Sequence, residues 1–174
     1  MTIKELLTTY WSQVTLLLLA IGYLLKRLLD LKSKKTEINH SLFQQNRLLA
    51  IKSYFSSYSK VELMWNQLAV FEIFDKKFTA KEIDNLIFPN LNTLQEITLE
   101  LKLYLEDDIH NYYERLTAGM LSINTNLQKL WSLLNLEQST VVKVNNYTYY
   151  KDEILRNNKT IMDELCMKVK DLYK

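Results

Sequence analysis

Gly22, Gly119 and Pro89 are the only glycines and proline in 174 residues. Turns draw on glycine and proline for backbone angles that other residues resist, and a sheet protein of this length needs many turns. The scarcity excludes a turn-rich β fold and predicts few, long helices. Two glycines so placed also exclude a glycine-rich phosphate loop. Cys166 is the sole cysteine, so no disulfide forms within the chain. The net charge is only +2, which gives nucleic acid no electrostatic footprint to bind.

What the chain does have is an apolar run. Residues 6–25, LLTTYWSQVTLLLLAIGYLL, carry no formal charge, and Lys26, Arg27, Lys32, Lys34 and Lys35 follow at once. About 20 residues is the length a helix needs to cross a bilayer. Tyr10, Trp11 and Tyr23 stand near its ends, where an interfacial aromatic belt places them. Only Val14–Leu25 is densely apolar; Thr8, Thr9, Ser12 and Gln13 dilute the first half.

Charge orients the run. Up to residue 35 there are six basic residues (Lys4, Lys26, Arg27, Lys32, Lys34, Lys35) and two acidic ones (Glu5, Asp30), or +4; residues 36–174 hold 16 basic and 18 acidic groups, or −2. The expectation is a single-pass membrane protein, with 1–5 a short outer tail and 6–25 a transmembrane helix. Residues 26–35 form a basic collar against lipid headgroups, and 36–174 a cytoplasmic helical domain. Thr8, Ser12, Thr15 and Gly22 recur at i, i+4, i+7 and i+14, a face suited to helix–helix association in the membrane.

Beyond the collar the pattern is helical. Ile51, Tyr54, Tyr58, Val61, Trp65 and Leu68 follow steps of 3 and 4, the seam of helices packed at a shallow angle. Thr79 and Glu82 match a capping box. It opens a short helix expected to stop before Pro89, since the residue before proline avoids the α region. From Leu91 an apolar series steps by 3 or 4 to residue 134, which predicts one long helix over 91–136 with Gly119 inside it; a break at Gly119 is the alternative. Val141–Val144 and Tyr147–Tyr150 flank Asn145-Asn146, suggesting a small β-hairpin near 141–150. A last helix begins near Lys151-Asp152, with Ile154, Ile161, Leu165, Val169 and Leu172 on one face. The fold class is all-α: a transmembrane helix, then a long antiparallel helical hairpin or coiled-coil-like bundle.

Chemistry is sparse. Glu37-Ile-Asn-His40 and Asp107-Asp-Ile-His110 each carry half of the carboxylate–histidine pattern of di-iron bundles. A chain reversal near 76–90 sets His40 opposite residue 125, about 20 Å from His110 at helical rise, so the two do not share a metal. No serine is flanked by glycines, and Cys166 lies between Leu165 and Met167 as a small hydrophobe. The sequence therefore points to a non-enzymatic interaction or scaffold protein without metal or cofactor. Its expected partners are membrane lipid, other proteins and further copies of itself. A membrane-perturbing effector, whose spans oligomerise when the helical domain is triggered, is the alternative.

Overall fold

The computed structural model of the protein describes residues 2–132 and 139–171. Its elements are α1 (Ile3–Thr9), α2 (Trp11–Gln67), α3 (Val70–Phe74), α4 (Ala80–Leu101), α5 (Asp107–Trp131) and α6 (Thr140–Asp171). The all-α class holds, and no strand occurs among the described residues. The chain divides into two compact units, Met1–Asn46 and Arg47–Lys174.

In the second unit, the part of α2 from Arg47 joins α4, α5 and α6 as four helices running alternately up and down. The pairings fix the directions. Thr98 of α4 bonds Thr117 of α5, and the earlier residue's carbonyl meets the later His110. Leu116 of α5 meets Asn158 of α6, and Asn66 of α2 meets Lys151 of α6. Ile51, Tyr54, Tyr58, Val61 and Trp65 are buried in one cluster with Ile87, Leu91, Leu94, Tyr113, Leu116, Met120, Ile123, Tyr147 and Leu165, and Leu68 packs against it half-buried. Each such side chain removed from water stabilises the unit by about 1.5–3 kcal/mol before entropy is counted. The Tyr54 and Tyr113 rings meet edge to face at 4.6 Å, the geometry their quadrupoles prefer.

Three local expectations are corrected here. Pro89 lies inside α4, which starts at the capping box of Thr79 and Glu82 and continues to Leu101. Proline forfeits the bond from its nitrogen to the Asn85 carbonyl, but buried Ile87, Leu91 and Leu94 hold the helix on both sides of it.

The expected long helix over 91–136 is two helices. It breaks at 102–106, not at Gly119, which sits within α5. Leu101, Leu105 and Ile109 are all buried across the break, and the Leu105 N–H still donates to the Leu101 carbonyl. The apolar phase thus survives a turn in the backbone. Residues 133–136 of that expected helix lie outside the described residues.

The β-hairpin at 141–150 is instead the first part of α6. Val144, Tyr147, Ile154, Asn158, Ile161 and Leu165 form one inward stripe at helical spacing, and packing of that stripe overrides the local β preference. Leu172, expected on the same face, lies outside the described residues.

In the first unit, α1 ends at Thr9 and α2 starts at Trp11, with Tyr10 between them accepting bonds from the Gln13 and Val14 N–H groups. Among the described residues no helix is long and apolar enough to cross a membrane. That overturns the transmembrane helix at 6–25 and the single-pass membrane localisation, outer N-terminus included. The physical reason is length. The chain bends at Tyr10, and the dense run Val14–Leu25 spans about 18 Å of helix, short of the roughly 30 Å hydrocarbon core. Lys26, Arg27 and Asp30 then interrupt it.

Candidate functional site

The first unit carries an exposed apolar surface. Along α2, Val14, Leu17, Ile21, Leu24, Leu28 and Leu31 follow steps of 3, 4, 3, 4 and 3, which is a heptad seam. Val14 is half-buried; the other five are exposed, from 45% for Ile21 to 63% for Leu28. Leu18 and Leu25 flank the seam and are exposed as well, as are Leu16, Leu19 and Leu29 on the rest of the helix. A helix apolar on most of its circumference is normally a buried one. Here the density of leucine is that of a core, and the exposure is that of a surface.

The heptad count distinguishes this seam from the one that builds the bundle. Continued from Leu31 by fours and threes it reaches Lys35, Ile38, Leu42, Gln45 and Leu49. It never meets Ile51 or Tyr54, because the two series are two residues out of register. Sequence reading saw the apolar run but took it as a span, so the heptad within it went unused.

The expected association face does not form as such. Thr8 is on α1, whereas Thr15 and Gly22 are on α2, so the bend at Tyr10 breaks the single stripe. The Thr8 hydroxyl donates to the Lys4 carbonyl and the Thr15 hydroxyl to the Trp11 carbonyl. Both hydroxyls bond to their own helices. Gly22 has open space where a Cβ would stand, and the Ser12 side chain lies outside the described set. Lys26, Arg27, Lys32, Lys34 and Lys35 are exposed, and none is ion-paired among the described residues.

The second unit holds a buried polar thread. The Tyr54 hydroxyl donates to the Tyr113 carbonyl (3.1 Å) and lies 3.2 Å from the Thr117 hydroxyl. Thr117 is 2.8 Å from the Thr98 hydroxyl, which reaches the Leu94 carbonyl at 2.7 Å. His110 Nε2 meets the Thr98 carbonyl at 2.8 Å, which makes Nε2 the protonated nitrogen. Its Nδ1 faces Glu114 at 3.6 Å. His110 is therefore a satisfied core histidine. His40 is exposed and belongs to the other unit, with Gln44 Nε2 3.4 Å from its Nε2. Among the described residues no cluster of His, Cys, Asp and Glu is close enough to hold a metal ion.

A groove of about 580 Å³ opens between α2 and α6. Phe55, Tyr58 and Met162 give it an apolar floor, with Glu62 on α2 and Arg156 and Lys159 on α6. Cys166 lines it as well, and no histidine does. Compared with known protein families, curated proteins and solved structures, the chain matches none.

Proposed function

We propose that the protein is a non-enzymatic helical interaction protein. The bundle of 47–174 is its folded body, and the apolar part of α2 is the surface by which it joins protein partners, copies of itself included. The observation behind this reading is the exposed seam from Leu17 to Leu31 with its flanking leucines. An apolar patch of that extent on a water-facing helix marks an interaction surface. A partner packed on that face removes its leucines from water. An effector working through assembled membrane spans lacks such a span among the described residues.

Sedimentation velocity on the full chain tests the proposal. The unaltered protein is expected to sediment as an oligomer or with a co-purifying partner. A variant carrying Leu17→Asp and Leu24→Asp should be monomeric with the same thermal transition for its bundle. A monomer of the unaltered chain that binds nothing would overturn the proposal.

A further inference from the structure

The spacing and charge of α2 say which partner fits the seam and how it lies. We infer that the seam Val14–Leu31 pairs with the same seam of a second copy in antiparallel orientation. The inference rests on the reading of this helix as an interaction surface and adds occupant, direction and register.

The apolar layers come first. In an antiparallel pair with residues summing to 45, Val14 faces Leu31 of the second copy, Leu17 faces Leu28, and Ile21 faces Leu24; the symmetry repeats the three in reverse. All six layers are aliphatic, and each joins the two kinds of seam position. Leu18 and Leu25 flank the layers and widen the covered strip. Six consecutive layers without a polar residue is a self-complementary surface of the kind an isologous dimer uses.

Charge then selects the direction. In a parallel, in-register pair the next seam layer stacks Lys35 on Lys35, and Arg27 faces Lys32 of the other copy across the flank. Like charges so juxtaposed oppose pairing. In the antiparallel pair each flank position meets its own kind, so Lys34 faces Gln13 and Lys32 faces Trp11, an ammonium beside an indole, which is a favourable contact. The two clusters Lys32–Lys35 then stand at opposite ends, about 30 Å apart at helical rise, well beyond the Debye length of roughly 8 Å at physiological salt. These basic residues, none of them ion-paired among the described residues, thus become the feature that orients the pair.

Disulfide trapping tests this in the full chain with Cys166→Ser as background. Val14→Cys and Leu31→Cys are made separately, each on the α2 surface, then mixed and oxidised under air. The expected product is the mixed 14–31 disulfide, with neither protein cross-linking to itself. In the antiparallel pair two copies of residue 14 are roughly 26 Å apart, far beyond the 7 Å over which a disulfide closes. Self-linked 14–14 and 31–31 species without the mixed one would overturn the antiparallel pairing and leave the interaction surface standing. A chain that stays monomeric in sedimentation but carries another protein would overturn the self-pairing alone; one that is monomeric and binds nothing, or floats as a monomer with phosphatidylcholine–phosphatidylglycerol vesicles, would overturn both.

Discussion

Asn158 occupies the space that a side chain at Gly119 would need: a Cβ there would lie 2.5 Å from Asn158 Oδ1 and 2.8 Å from Nδ2. The amide is 2% exposed and donates to the Leu116 carbonyl. Glycine in mid-helix costs about 1 kcal/mol against alanine, so the close approach of α6 explains why glycine is kept. Gly119→Ala is expected to lower stability by about 1–2 kcal/mol, because displacing the amide from its buried bond outweighs the helix gain. In urea unfolding, the loss should shrink when Asn158→Ala is added, since contacting residues couple.

Two buried tyrosines should respond in opposite ways to loss of the hydroxyl. Tyr54→Phe strands the polar thread and should cost about 1–2 kcal/mol. The Tyr147 hydroxyl has no hydrogen-bond partner among the described residues, so Tyr147→Phe should be neutral or stabilising by up to about 1 kcal/mol. Chemical denaturation of both variants side by side decides.

Alkali should reach the bundle through the same groups. Burial pushes the Tyr58 phenol up to about 12 from an ordinary 10.0, and burial raises Tyr54 and Tyr147 as well. The folded protein keeps protons that the unfolded chain has released above pH 10. Stability should therefore be level below pH 10 and fall as pH rises from 10 toward 12. Tyr147→Phe should make that fall shallower, as thermal melts across the range will read.

At the start of α4, Thr79 accepts from the Glu82 N–H, while the Glu82 carboxylate accepts from the Thr79 N–H and hydroxyl. Thr79→Ala should cost about 1 kcal/mol. The Thr79 bonds hold the Glu82 carboxyl below its usual value, so its contribution is present above that value and lost as pH falls. Glu82→Gln should flatten the acid side of the stability profile, measured by urea titration between neutral and acid pH.

Pro89 is exposed within α4. Pro89→Ala restores a helix bond at no cost in the core and should raise stability by about 1–3 kcal/mol. A drop in the thermal midpoint would mean that the bundle depends on the bend proline imposes.

Much of this fold was legible from spacing alone. The aromatic seam on α2, the capping box and the helical state of Gly119 follow from local rules of residue order. The break at 102–106 escaped because Leu101, Leu105 and Ile109 stay in phase across it; the acidic start of α5 at Asp107 and Asp108 was the signal for a new helix. The first turns of α6 read as strand because Val141–Tyr150 has β-prone side chains, and only the stripe continuing from Tyr147 to Leu165 outvotes them. The apolar surface of α2 was legible as apolar but not as a surface. A run of leucines looks alike whether lipid or a second helix is to cover it, and the length of the apolar run against the thickness of the hydrocarbon core separates the cases.

The thread from Tyr54 through Thr117 and Thr98 to His110 bears on how uniquely this bundle is arranged. Helices with apolar seams can slide by one repeat and lose little contact. Hydrogen bonds buried between three helices cannot follow such a slip without stranding their groups. The thread works as an alignment mark, admitting one stagger of α2, α4 and α5. Replacing all of it with aliphatic side chains would leave a bundle that is stable yet free to settle in more than one way.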